Sequence, residues 1–164
     1  MTAVFSPCRT WRYRLSRCWD DVPFGSYPLT VVMLNPSTAD ETQDDPTIRR
    51  VRAFAKAWGH AGIDVLNLFA LRSTDPFALS TAADPVGPEN DATLRTALAA
   101  AKHVDAPVLA AWGVHGGFRG RAFKVTHMVD GVRWICLGTT KEGAPRHPLY
   151  VPAKQKPVAF GGAS

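Results

Sequence analysis

The chain has 164 residues, 46% of them hydrophobic and 20% charged, a composition that fits one globular domain with its own core and excludes a disordered chain. Lys and Arg outnumber Asp and Glu by 19 to 14, and this net charge of +5 admits nucleic acid as a partner without requiring it. No apolar run reaches the ~18 residues of a membrane span. The stretch from Met1 to Arg14 lacks the apolar core of a secretory signal, so a cytoplasmic protein without a membrane partner is expected. Cys8, Cys18 and Cys136 are too few and too scattered for a structural zinc or iron–sulfur site, and they read as reduced thiols.

Residues 11–19 alternate apolar and basic side chains. That period of two predicts a half-exposed strand at a sheet edge, with Trp11, Tyr13, Leu15 and Trp19 turned inward. Asp20 to Pro28 reads as a turn. An apolar strand over 30–34 then runs into Asn35-Pro36-Ser37-Thr38, a polar stop. In the acidic loop 39–46, Asp45 is the expected N-cap and Pro46 the first helical residue. Ile48, Val51, Phe54, Ala55 and Trp58 follow at helical spacing. Arg49, Arg50, Arg52 and Lys56 form either the wet face of this helix or a nucleic-acid face, and Gly59 and Gly62 end it.

A second apolar strand over 63–70 contains Asn67, a polar residue that must hydrogen-bond something once buried. It serves a neighbouring loop or a ligand. Residues 71–88 make a long loop of the kind that is functional or disordered. A helix over 89–102, entered through Pro88, leads to a third strand over 107–113, a basic helix over 118–129 and a fourth strand over 132–137. The loop 138–150 follows, and the Pro/Lys/Gly segment 153–164 reads as a poorly ordered tail, which places the domain at 1–152. Strands alternating with helices imply a single-domain α/β fold: a three-layer α/β/α sandwich with a mainly parallel four-stranded central sheet and an extra N-terminal edge strand.

Such sheets place ligands at the carboxyl ends of their strands. The residues gathered there are Asn35, Asn67, the turn at Gly113 and the loop carrying His147. They contain no nucleophile elbow, no dinucleotide fingerprint and no phosphate loop ending in Gly-Lys-Ser/Thr. His115 and His127 are too far apart to share a helix face as metal ligands. Each remaining candidate also has a bland role: Asn35 as a turn-former, Asn67 as a loop anchor, His147 as a surface histidine, Trp112-Gly113 as packing and turn.

Leu34-Asn35-Pro36-Ser37, Leu66-Asn67-Leu68-Phe69-Ala70-Leu71-Arg72, Val108 to Gly113, and Arg146-His147-Pro148-Leu149-Tyr150 stand at four strand ends in order. Together they resemble the uracil-DNA glycosylase superfamily over roughly residues 30–152, through a bacterial and phage group that carries Leu-Asn-Pro-Ser-Thr-Ala-Asp. The resemblance implies a monomeric, cofactor-free, metal-free DNA glycosylase that flips out a uracil-like or modified pyrimidine and hydrolyses its bond to the sugar. A modified base in phage DNA, and so a defence role, is one version. A non-catalytic nucleic-acid-binding module and a hydrolase or transferase of free nucleosides or nucleotides are the alternatives on the same fold.

In this resemblance Asn35 and His147 are the catalytic residues. His147 would donate to a base oxygen as negative charge develops on the departing base. Asn35 would position water, because an amide is not a strong base. Asn67 would read the base edge, with Thr47, Ile48 and Pro36 completing the base pocket. Ser37, Thr38, Lys141, Arg146 and Arg72 would contact DNA, and Leu149 or Tyr150 would wedge into the base stack. Asp40 and Asp45 are candidate carboxylates beside Asn35. The aromatic residue that stacks on the base in the superfamily has no counterpart around Asp45-Pro46-Thr47-Ile48, and this points to a looser or differently shaped pocket.

Overall fold

The computed structural model describes residues 1–19, 25–37, 39–75 and 77–161. The strands are β1 (Thr2–Phe5), β2 (Arg12–Cys18), β3 (Leu29–Met33), β4 (Gly62–Asn67), β5 (Val108–Ala110), β6 (Trp134–Cys136) and β7 (Val158–Ala159). The helices are α1 (Pro46–Ala57), α2 (Ala78–Thr81), α3 (Asn90–His103) and α4 (Arg121–Thr126). Among the described residues the strands form one sheet in the order β1-β2-β4-β3-β5-β6-β7. The four central strands β4, β3, β5 and β6 run parallel, while β1, β2 and β7 are antiparallel additions at the flanks.

The sheet therefore has seven strands where four and an edge strand were expected. β2 is not an edge, because β1 covers it, pairing Ala3 with Leu15. Nor does the tail begin at residue 153, since β7 pairs Val158 with Cys136 and Phe160 packs edge-on against Trp112. The alternation in β2 also differs from expectation. Tyr13 and Leu15 are buried, but so are Arg12 and Arg17, whereas Trp11 and Trp19 are only partly covered.

Strands buried on both faces read as continuous apolar runs, and β3 is one. Leu29, Val31 and Met33 pack with Ile48, Val51, Phe54 and Ala55 of α1, while Val32 packs on the opposite face with Leu94 and Leu98 of α3. Burying each such side chain is worth about 1.5–3 kcal/mol, so both helical layers are held by core rather than by helix propensity. The helix α1 begins as its sequence dictates. Asp45 is the N-cap, accepting from the Ile48 N–H at 2.8 Å, and Pro46 fills the first turn. Its arginines are not simply wet: Arg49 donates to the Asp44 carbonyl, Arg50 to the Val151 carbonyl and Arg52 to the Asp44 carboxylate. The helix expected over 118–129 is shorter, because Arg119 and Gly120 adopt left-handed backbone and delay its start to Arg121. Among the described residues no helix is long and apolar enough to cross a membrane.

Candidate functional site

The carboxyl ends of β3 and β4, the turn after β5 and the loop after β6 surround a cavity of about 740 Å³. Asn35, Asn67, Trp112, Gly113 and His147 all line it, so four segments far apart in sequence meet in one place. Parallel pairing produces the meeting. Met33 stands opposite Asn67, and Val32 lies between Leu66 and Ala110, so β3, β4 and β5 end at the same level.

Asn67 follows Ile63 and Val65 on the α1 side of the sheet, by the strand period of two. It is 1% exposed, and among the described residues neither its side-chain nitrogen nor its oxygen has a protein partner. Its backbone, by contrast, is tied down. The buried Asn90 amide, at the start of α3, donates to the Asn67 carbonyl at 3.1 Å and to the Leu68 carbonyl at 3.2 Å. The Arg121 guanidinium donates twice more to the Leu68 carbonyl. An unpaired buried amide costs about 1–3 kcal/mol. Asn67 thus stands on a clamped backbone at the wall of the cavity with its side-chain amide not engaged in anchoring a described loop.

Asn35 has one half of its amide committed. Its nitrogen donates to the carbonyls of Pro36 (3.1 Å), Leu71 (3.4 Å) and Ser73 (2.8 Å), while the Ser73 N–H donates back to the Pro36 carbonyl at 2.9 Å. The two loops that follow β3 and β4 are thus stitched together. Among the described residues the Asn35 oxygen has no hydrogen-bond partner, so it is the half left for a ligand or a water.

His147 is half-buried at the other wall. Its Nδ1 accepts from the Leu149 N–H at 3.3 Å, which leaves the ring proton of a neutral imidazole on Nε2. Burial lowers its pKa from the ordinary value, opposed by the charge of Asp45. The loop reaches the cavity because Gly113, at φ 73°, turns the chain beneath it; its N–H donates to the Pro145 carbonyl, and a side chain there would lie 3.7 Å from the His147 β-carbon.

The remaining expected residues divide. Thr47, Ile48, Ser37, Lys141, Arg146, Tyr150 and Asp45 line the cavity. Pro36 is buried behind it and acts through its carbonyl, and Leu149 is exposed outside it. Arg72 lies elsewhere, over the Phe5 ring and donating to the Arg9 carbonyl. Asp40 is not a site carboxylate: its Oδ1 accepts from the N–H groups of Thr42 and Gln43 and from the Thr42 hydroxyl, closing a turn away from the cavity. Thr38 lies outside the described residues. Asp45 combines two positions, cavity lining and helix cap. Asp45→Ala is expected to lower stability by about 1 kcal/mol, read from the midpoint of urea unfolding.

Arg12, Ser73, Thr74, Val114, His115, Thr140 and Glu142 also line the cavity and were not expected. The strand-end rule alone points to Ser73, Thr74 and Thr140, which follow β4 and β6. Nothing in the local pattern marks Arg12, which comes from an antiparallel strand. Burial pulls its guanidinium down to about 10, with Asp45 opposing the shift.

A family model described as "Protein of unknown function (DUF1643)" matches residues 12–149. No curated protein and no solved structure matches the chain.

Proposed function

The chain belongs to the DUF1643 family, and we propose that it is a DNA N-glycosylase that receives a flipped uracil-like or modified pyrimidine in the cavity between Asn67 and His147. The observation that carries this reading is the Asn67 amide, buried with donor and acceptor both unpaired beside the cavity. A pyrimidine edge offers a matching donor–acceptor pair, and its binding satisfies both atoms at once. Groups built to hydrogen-bond a substrate reject analogues that leave them unpaired, so this residue sets which base is accepted.

The other groups fit the reaction. The bond between C1′ and the base nitrogen breaks with its electron pair going to the base, and the neutral His147 donates from Nε2 to a base oxygen as that charge grows. The free oxygen of Asn35 accepts from a water on the sugar side. That water adds to C1′ and releases a proton to solvent, while the base leaves as an anion held by the His147 hydrogen bond and takes up a proton from solvent. Lys141 and Arg146 at the rim supply charge for flanking phosphates, and Tyr150, 80% exposed and 5.5 Å from the His147 ring, is the side chain that can hold the stack open.

The test is mass spectrometry of bases released from DNAs containing uracil, hydroxymethylated or glucosylated pyrimidines. Release of one of them by the wild type is expected, with loss in Asn67→Ala of roughly ten-fold or more in activity on the preferred base. No release from any of these DNAs by the folded protein sinks the reading.

A further inference from the structure

We propose that Arg12 makes this cavity selective for a nucleobase that carries negative charge. Among the described residues the fold buries three arginines. Arg17 is 1% exposed and donates to the Asp44 carboxylate at 2.7 Å, with the carbonyls of Thr2, Ser16 and Asp40 taking its remaining donors. Arg121 is 3% exposed and donates to the Asp91 carboxylate at 2.8 Å. Arg12 is 2% exposed, and among the described residues it has no carboxylate within ion-pair distance. Its NH1 donates to the Ala39 carbonyl, and its Nε has no partner among the described residues.

A buried cation with no carboxylate in contact is a costly arrangement. Asp45, on the same cavity, acts on Arg12 only from beyond ion-pair distance, whereas the fold places an aspartate directly against each of the other two. Arg12 is also the one of the three that lines the cavity, on the same wall system as Asn67. Its backbone is fixed there, since the Arg12 N–H donates to the Ala70 carbonyl just beyond β4. The contacting anion is therefore supplied by what enters. Asn67 pairs with a planar edge, and Arg12 supplies donors for an acceptor of full negative charge on the same ligand. A pyrimidine with a carboxylate substituent, or one whose ring is itself ionised, meets both demands. A neutral pyrimidine leaves the guanidinium unpaired.

The proposal rests on reading the cavity as a base pocket, and the probes are free bases so that binding does not depend on base release. Calorimetry is done at neutral pH on the full chain with uracil, 5-carboxyuracil and 5-nitrouracil, whose ring ionises readily. The wild type is expected to bind the two anionic bases roughly ten-fold or more tightly than uracil, the ratio a charge-assisted hydrogen bond supplies. Arg12→Gln is expected to bring the three within about two-fold of each other, a loss of that same interaction. Arg12→Lys, which keeps the charge but not the fork, should retain part of the preference. Thermal unfolding of each variant guards against misfolding; if Arg12→Gln does not fold, the wild-type ratios and Arg12→Lys decide. Equal binding of all three bases by the wild type, no binding of any, or an unchanged ratio in Arg12→Gln overturns the proposal. Charge-selective binding without base release from DNA would sink the glycosylase reading alone. Base release without charge preference sinks the role of Arg12 alone.

Discussion

Asp44→Ala is expected to destabilise the fold by about 3–5 kcal/mol, the cost of leaving a buried charge without its partner. Asp44 holds two arginines at once, Arg17 from β2 at 2.7 Å and Arg52 from α1 at 2.5 Å, and its side chain is 9% exposed. Arg52 can turn to water, being 34% exposed, but Arg17 cannot. The penalty therefore falls on Arg17. Replacing both members together, as Arg17→Met with Asp44→Ala, should recover much of the loss, because an apolar filling removes the stranded charge. Urea unfolding of the two single variants and the double variant checks this, and a single-variant loss below about 1 kcal/mol contradicts it. Acid provides a second reading. Burial pushes the Asp44 carboxyl up, but hydrogen bonds from Arg52 and Arg17 outweigh it and leave the pKa below the ordinary 3.8. A carboxyl depressed in the folded state contributes fully above its unfolded value and loses that contribution as pH falls through the lower folded one. The gap between wild type and Asp44→Ala should thus be complete above about pH 4 and close below it.

His147→Ala is expected to slow base release by about 10²–10³-fold, the usual cost of losing one donor to a developing anion. The substitution removes a donor whose orientation the backbone sets, through Leu149 N–H and Nδ1. Pro148 lies within the short 3-10 turn that holds this geometry, so loss of the ring leaves the loop with its own scaffold. Burial keeps the ring neutral to lower pH than an ordinary histidine. Activity should hold through neutral pH and fall on acidification below the ordinary value of 6.5, where the imidazolium can no longer accept from Leu149. A pH–rate profile on the preferred DNA, with His147→Gln alongside, measures this. Unchanged rates in His147→Ala assign the chemistry to another group.

What the sequence discloses about this molecule follows from which signals are local. β3 and β4 are apolar runs broken only by Thr30, Asp64 and Asn67, and the Asp45-Pro46 start of α1 is a local capping signal; these elements form where their residues indicate, although β4 ends at Asn67 rather than at residue 70. β1 and β7 are invisible because they are short and mostly exposed, so no apolar alternation marks them, and β7 exists only because β6 offers an edge. Arg12 and Arg17 mislead for a different reason: an alternating basic residue ordinarily faces water, and only tertiary partners such as Asp44 permit burial. The cavity was legible at Asn35, Asn67 and His147 because strand ends concentrate ligands in parallel sheets. Arg12 was not, since its position depends on β2 inserting antiparallel beside β4, and Asp40 was over-read because closeness in sequence to Asn35 says nothing about which way a turn closes.

The hydrogen bond from Arg50 to the Val151 carbonyl, 2.6 Å long, has a mechanical meaning. The first turn of α1 carries Thr47 and Ile48 on one wall of the cavity, and the next turn grips the chain just past His147 and Tyr150 on the other. Two walls whose anchoring residues lie 101 positions apart in sequence are bolted to one rod. A displacement of α1 is therefore passed through Arg50 to the segment that follows His147 and Tyr150, and the two walls do not move independently.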